Sequence, residues 1–515
     1  MTIYEKIKRQ NPDSTAIISV TREPLLYKDL ISLIERSVLS LQGFGLRKGE
    51  RIAIVLPNGP EMATVFLCVA SAFCAAPLNP GYTEEEFDFY LEDLQARAVV
   101  VMEGVMSPVR AVAERRGLMI LEIAASTTLS GEFVLNCYRS TTLASDEEKF
   151  PLPHNLSIPS FALPTDIALI LHTSGTTSRP KIVPLTQVNL LASAGHIVKT
   201  LRLEPQDRGL NVMPLFHIHG LIASLLAPLT IGSSVICSPG FDALKFFSWL
   251  RDFKPNWYSA VPTMHQTILA RSSKNTEIIR TVPLRFIRSS SSSIPPQVIA
   301  ELEEVFGCPL IESYGMTEAS HQMASNPLPP GLRKPGTVGL AAGPQIAIMD
   351  SGGKILEPWK EGEVVIKGPN VTLGYEKNAK ANLEAFHNGW FRTGDQGVID
   401  SEGYLRLTGR LKEIINRGGE KISPKEVDEI LMDHPAIAQV VTFGVPHPKL
   451  GEDIGAAIVL KEGNTTTPDE IREFAKTRLA DFKIPRTILI LEEIPKGATG
   501  KLQRIGLAQK LGLIK

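Results

Sequence analysis

The sequence predicts an α/β fold: a large N-terminal α/β domain of several subdomains, followed by a small C-terminal α+β domain. Three observations carry this expectation. A length of 515 residues exceeds what one ordinary hydrophobic core holds and implies roughly two to four domains. Short apolar runs alternate with longer segments of helical period, the pattern of mainly parallel, buried strands joined by helices. After about residue 360 the texture changes to Gly-rich turns between short alternating strands.

In chain order, "RIAIVLP" (51–57), "RAVVVME" (97–103), "IALILHT" (167–173) and "GSSVICSP" (232–239) read as buried strands. "MATVFLCVASAF" from Met62 and "PPQVIAELEEVFG" read as helices. The first is followed by Pro77 and Pro80, so it is a buried helix ending in a turn and not a membrane span. The Pro-rich "PLPHNLSIPSFALP" (151–164) reads as a loop leading into the next strand. Beyond residue 360, "EGEVVIKGPNVTLGY", "NGWFRTGDQGVIDSEGYLRLTGR" and "NRGGEKISP" read as β-hairpins. From Glu426, "EVDEILMDHPAIAQVVTFGVP", "IGAAIVLKEG" and "PDEIREFAKTRLADFKIP" give helix, strand, strand and helix, enough for a domain of about a hundred residues. The expected division is residues 1–409, a hinge at 410–412 and residues 413–515.

Lys plus Arg number 54 against 55 for Asp plus Glu, so no net field favours nucleic acid or an anionic membrane. Any polyanion must be met locally. Hydrophobic residues at 43% and charged residues at 21% set aside disordered and collagen-like classes. The five cysteines, at 68, 74, 137, 237 and 308, contain no Cys-x-x-Cys pair; this disfavours a disulfide framework or thiolate metal site and fits a reducing compartment. "MTIYEKIKRQNPDS" lacks a continuous signal-peptide core and "LGLIK" is not a Ser-Lys-Leu address, so a cytoplasmic location is expected.

The stretch "HTSGTTSRPK" (172–181) gathers Thr173, Ser174, Gly175, Thr176 and Thr177 in one turn, then adds Pro180 and Lys181. Glycine lets the backbone approach closely, hydroxyls and amides donate, and the lysine supplies a fixed cation. That is provision for an anion with several oxygens, such as a phosphate chain. A P-loop requires Gly before Lys-Ser/Thr; here Pro180 and Ile182 flank Lys181, so this is a different phosphate loop. A solvated Ser/Thr turn is the alternative for such a run taken alone.

Together with "ESYGMTEA" (312–319), "GWFRTGDQG" (389–397), "GRLKEIINRGGEKISP" (409–424) and "PKGATGKLQR" (495–504), this loop resembles, in order and spacing, the adenylate-forming superfamily of acyl-CoA synthetases, adenylation domains and luciferases. The resemblance spans nearly the whole chain. It implies activation of a carboxylic acid by ATP as an acyl-AMP, then thioester formation with coenzyme A, with Mg²⁺ neutralising the phosphates.

The resemblance also implies roles. The Thr173–Lys181 loop holds the phosphates, with Lys181 as a point charge. Glu312, Ser313, Tyr314 and Gly315 belong to the nucleotide site, where Tyr314 offers its ring to adenine, Thr317 a hydroxyl to the α-phosphate, and Glu318 a carboxylate to Mg²⁺. Asp395 accepts from the ribose hydroxyls and Arg410 adds a ribose or phosphate contact. Lys501 bridges the substrate carboxylate and the α-phosphate, whereas Lys496 reads as a solvated turn lysine. The small domain is mobile: it rotates about Lys412 after adenylation, bringing Gly418 and Gly419 beside the pantetheine arm. A positioned cation facing developing charge is worth about 10²–10³ in rate. Lys501→Ala is therefore expected to lose adenylation while thioester formation from supplied acyl-AMP survives; equal loss of both would contradict this role.

The acid pocket is expected in "PLFHIHG" (214–220), "FIRSSSSS" (286–293) and "TEASHQMASNPLPP" (317–330). A fatty or aryl acid needs an apolar tunnel, yet these stretches offer His217, His219, Arg288, Ser289, Ser291 and His321. That inventory suits a small acid with a second polar end. The three stretches resemble the plant and fungal oxalyl-CoA synthetases, with malonyl-CoA synthetases next, and depart from the former at Ser290 and Ser292, where that group tends to show other small residues. For oxalate, His219, His321 and a serine hydroxyl pair with the distal carboxylate, while His217 shapes the site. A zinc site made by a His217-x-His219 strand with His321 is the competing reading, though the implied chemistry needs no zinc.

The expected partners are the small acid, ATP and CoA, with a carrier protein as the alternative acceptor and neither nucleic acid nor membrane. Other readings are a malonyl-CoA or medium-chain acyl-CoA synthetase, a stand-alone enzyme loading a carrier protein, a luciferase-type oxygenase, and a nucleotide sensor without catalysis. Retention of Lys501 and Glu318 disfavours the last, since a sensor needs neither.

Overall fold

The computed structural model describes residues 1–138, 158–173, 180–496 and 502–514. Ser174, Gly175, Thr176, Thr177 and Lys501 lie outside the described residues. Among the described residues four sheets form. The nine-stranded sheet has a parallel block in the spatial order Thr15–Ser19, Ser234–Cys237, Arg208–Asn211, Trp257–Ala260, Phe286–Ser289, Leu310–Met316. Antiparallel strands His321–Ser325 and Leu340–Ala341 extend it past Leu310–Met316. The seven-stranded sheet holds Arg51–Val55, Cys74–Pro77, Ala98–Met102 and Ile167–His172.

Apolar patterning explains both sheets. Strands such as Ser234–Cys237 and Trp257–Ala260 are buried throughout, as strands covered on both faces must be. The helix Pro60–Ala70 is buried at every position and packs against strands of both sheets. This accounts for the apolar run from Met62. No helix among the described residues is long and apolar enough to cross a membrane.

One local reading needs correction. His219 does not lie on a strand; it opens a π-helix, His219–Leu226, so residues 217 and 219 do not share a strand face. Asp395 lies inside the ten-residue strand Trp390–Ile399, paired with Arg410 across the antiparallel strand Leu405–Arg410. Ile167–His172 pairs antiparallel with Ile182–Thr186, which is the edge strand of the seven-stranded sheet.

The C-terminal part has its own core of Ile415, Val427, Leu431, Ile454, Ile458 and Ile471. Its helix Pro424–Met432 packs against Leu405–Arg410, where the Lys425 ammonium donates to the Leu407 carbonyl at 2.7 Å. The hairpin Ile415–Arg417/Glu420–Ile422 turns at Gly418 (φ +61°) and Gly419 (φ +97°). Both are left-handed, the backbone of a two-residue hairpin turn that favours Gly-Gly.

Candidate active site

Strand register and alternation sort the predicted residues onto two faces. Arg288 pairs with Ser259 and Ile311; the next residue, Ser289, pairs with Ala260 and Glu312. Successive side chains point to opposite faces, so Arg288 and Glu312 stand on opposite sides of the sheet.

On the Arg288 face the structure brings together His219, His321, Arg288 and Ser291. Arg288 is 0% exposed. Its Nη1 donates to Ser259 Oγ at 3.2 Å and lies 3.3 Å from His219 Nε2; its Nη2 lies 3.0 Å from His321 Nε2 and donates to Gln322 Oε1 at 3.1 Å. His219 also meets Ser259 Oγ at 2.6 Å through Nε2 and Ser291 Oγ at 3.1 Å through Nδ1. The two imidazoles stack with centroids 4.9 Å apart and planes 19° apart. His217 is half-buried and accepts the His219 N–H at Nδ1, 3.3 Å away, so it braces the loop.

This cluster is electrostatically unusual. The four acceptors around Arg288 are a serine, a glutamine and two imidazoles, and none is a carboxylate. Burial pulls the guanidinium down to about 9, which still leaves it a cation at neutral pH. A buried charge with no countercharge is costly. The backbone adds strain: Ser291 (φ +75°) and His321 (φ +97°) are both left-handed without being glycine. Among the described residues no three His, Cys, Asp or Glu side chains are arranged to hold a metal ion.

On the opposite face, Glu312 is buried, and its Oε2 has no hydrogen-bond partner among the described residues. Burial pushes its carboxyl up to about 7, opposed by the charge of Lys425 from the small domain and the Ile294 N–H. The folded value exceeds the ordinary 4.5, so the folded chain binds the extra proton between those limits, and stability falls as pH rises through them. Glu312→Gln removes this term. The stability advantage of wild type over the variant is expected to be on the order of 2 kcal/mol greater at pH 5 than at pH 8, read from denaturant midpoints. An unchanged difference would mean that Glu312 ionises as an ordinary exposed carboxylate.

Beyond Glu312, the strand Leu310–Met316 carries Ser313, Tyr314 and Gly315 toward the turn Thr317–Ala319. Tyr314 donates its hydroxyl to Asp395 Oδ2, and Arg410 donates Nε–H to Asp395 Oδ1 at 2.9 Å. Each carboxylate oxygen keeps a further lone pair. Asp395 is buried while Arg410 is 57% exposed, so the pair is screened on one side. Glu318 accepts the Tyr375 hydroxyl at 2.8 Å. Burial pushes the Glu318 carboxyl up, opposed by that hydrogen bond and by the charges of Arg410 and Lys181. The Lys181 ammonium lies 4.3 Å above the Tyr375 ring. Below it, Thr173 and Lys181 pair at the end of the strands Ile167–His172 and Ile182–Thr186, with Thr173 N–H donating to the Lys181 carbonyl at 3.0 Å.

Three participants were not singled out in the sequence. Tyr375 links Glu318 to Lys181, and the signal for it was the "LGY" ending a Gly-rich hairpin. Ser259 and Gln322 complete the Arg288 cluster, and no local motif marks them.

Comparison with known proteins shows the family. The sequence profile described as AMP-binding enzyme matches residues 4–376, and that of the AMP-binding enzyme C-terminal domain matches residues 426–501. An oxalate–CoA ligase of Arabidopsis thaliana is 43% identical over 512 residues, covering 98% of this chain and 97% of the relative. An oxalate–CoA ligase of Saccharomyces cerevisiae is 45% identical over 473 residues, covering 89% of this chain and 86% of the relative. ATP-bound MatB from Rhodopseudomonas palustris superposes with a TM-score of 0.86 at 27% identity, covering 98% of this chain and 97% of that one. The chain belongs to the AMP-binding enzyme family, among its AMP-forming acid–CoA ligases.

Proposed function

We propose that the chain activates a small dicarboxylic acid, oxalate foremost, as an acyl adenylate and passes the acyl group to coenzyme A. The observation that carries this reading is the buried Arg288 guanidinium with four uncharged acceptors. An acid with a second carboxylate supplies the missing negative charge, whereas an acyl chain leaves the cation uncompensated. The names of the two oxalate–CoA ligase relatives support the same acid.

In this reading the Thr173–Lys181 stretch holds the phosphates with Lys181 as a point charge, Tyr314 receives adenine, Thr317 the α-phosphate and Asp395 the ribose hydroxyls. Glu318 fits Mg²⁺: its buried oxygens are hard donors, one already oriented by Tyr375. Mg²⁺ characteristically binds one or two carboxylates plus substrate phosphates and not an all-protein cage. When bound it neutralises charge on the phosphates. Lys501 supplies the cation at the reacting carboxylate. Residues 1–409 then form the adenylating domain and 413–515 the small domain, which turns at Lys412 to bring Gly418 and Gly419 to the thiol. A cleft of about 710 Å³ is lined from both sides of residue 411, by Gln396 and Arg406 and by Lys421, Lys425, Glu426 and Glu429.

The test is pyrophosphate release from ATP and Mg²⁺ with oxalate, malonate, acetate, octanoate and a hydroxycinnamate, with and without CoA. Oxalate is expected to lead, with turnover dependent on CoA. A second arm replaces CoA with a phosphopantetheinylated carrier protein, which identifies the acceptor. Turnover confined to octanoate or the aromatic acid would overturn the acid assignment.

A further inference from the structure

A guanidinium has five N–H donors and no acceptor. Arg288 places Nη1 at 3.3 Å from His219 Nε2 and Nη2 at 3.0 Å from His321 Nε2. A donor this close requires a lone pair on each Nε2, so the single proton of each neutral ring belongs on Nδ1. An imidazolium carries N–H at both positions and offers no lone pair, so the same contacts hold both rings neutral. Ser259 repeats the instruction. Its Oγ accepts from Arg288 Nη1, leaving its own O–H to donate to His219 Nε2 at 2.6 Å. The stacked rings fit this as well, because two imidazolium ions 4.9 Å apart beside a guanidinium would repel.

With Nε2 of each ring turned to Arg288, the Nδ1 atoms carry the donor N–H groups. His219 Nδ1 donates to Ser291 Oγ at 3.1 Å, leaving the Ser291 O–H free to donate onward. His321 Nδ1 lies 3.3 Å from the position a Cβ on Gly315 would occupy, beside the nucleotide strand. Hydrogen-bonded chains polarise one another in a low-dielectric interior, so a cation behind each ring strengthens the donor in front.

We propose that Arg288 is a positioning residue that locks His219 and His321 as neutral Nδ1–H donors and delivers its positive charge through them to the distal anionic group of the acid. The lock explains how a side chain that is 0% exposed selects a substrate. It rests on the dicarboxylate reading above for the identity of the group recognised, though not for the ring protonation itself.

The primary experiment is nitrogen NMR of the full chain labelled with ¹⁵N-histidine, without substrate, at neutral pH. Both rings are expected in the Nδ1–H form, identified by their loss in His219→Gln and His321→Gln. An Nε2–H tautomer or an imidazolium at either ring overturns the lock. The second readout is the ratio of kcat/KM for oxalate to that for glycolate, which replaces one carboxylate with a hydroxymethyl group. Arg288→Met is expected to lower this ratio at least tenfold with KM for ATP held within about twofold, and Arg288→Lys to restore part of it. An unchanged ratio in Arg288→Met overturns delivery of the charge. If that variant does not fold, the wild-type spectra decide. Nδ1–H rings in a wild type that shows no preference for oxalate would overturn the dicarboxylate reading and uphold the lock.

Discussion

Gly315→Ala is expected to lower acid activation about 10³-fold and to lower stability by about 3 kcal/mol. Gly315 sits where Leu310–Met316 pairs with His321–Ser325 across a register irregularity between Tyr314 and Gly315. A Cβ there would stand 1.7 Å from the His321 carbonyl oxygen and 2.6 Å from its carbonyl carbon. Both are backbone atoms, so no rotamer change relieves the clash; the paired strand itself must move. Overpacking in a well-packed interior typically costs 1–3 kcal/mol, and a backbone obstacle puts this case at the upper end. The moving strand begins at His321, and the turn joining the two strands carries Glu318. A displacement of about an ångström is commonly worth 10²-fold in rate, and two displaced groups put the expected loss on the order of 10³. Guanidinium chloride midpoints and pyrophosphate release at saturating ATP measure the two effects. Gly195→Ala is the control: no atom lies within 4 Å of its added Cβ, and a helical Gly→Ala change is neutral or stabilising. Wild-type activity in Gly315→Ala would mean that this contact does not set the position of His321.

The features legible in the sequence were those written locally. Apolar runs marked the strands, and each run from "RIAIVLP" to "GSSVICSP" contains one. Glu318, Asp395 and Lys181 stood out because each sits in a short motif whose residue types suit phosphate and ribose chemistry. Features made by long-range pairing were not legible. Arg288 and Ser259 are 29 positions apart, and only the parallel register sets them side by side. Alternation then separates Arg288 from Ser289, a division that a run of five serines conceals. The left-handed backbone at Ser291 and His321 has no signature in those residue types. The π-helix that turns His219 inward likewise looks, in sequence, like the end of an apolar strand.

The two faces of the central strands carry separately buried ionisable groups. Arg288 is a cation among neutral acceptors, and Glu312 is a carboxyl raised by burial. They do not neutralise each other because the sheet lies between them. Arg288 is left with uncharged acceptors on one side, while on the other the charge of Lys425 acts on Glu312.

Glu318→Gln is expected to lower adenylation by about 10³ while leaving the fold intact. Glutamine has the same shape, and its Oε1 still accepts the Tyr375 hydroxyl now bonded at 2.8 Å. The turn is fixed independently: the Thr372 N–H donates to the Glu318 carbonyl at 2.7 Å, and Asn370 Nδ2 donates to the carbonyls of Ala319 and Gln322, each at 2.8 Å. What the substitution removes is the anion and one hard oxygen; the amide that replaces them keeps one neutral carbonyl oxygen, a much weaker ligand for Mg²⁺ than a carboxylate. Polarisation of phosphoryl oxygens by a metal contributes several kcal/mol, and a 10³ loss corresponds to about 4 kcal/mol. Pyrophosphate release across a Mg²⁺ titration, alongside a thermal melt, tests this. Melting within a few degrees of wild type with a raised Mg²⁺ requirement is the expected pair of results; activity within tenfold would show that Glu318 only supports the turn. The pH profile provides an internal check. Burial raises the Glu318 carboxyl, and its protonated form resembles glutamine. Wild-type activity should therefore fall toward that of the variant as pH decreases, while the residual activity of Glu318→Gln should lack that limb.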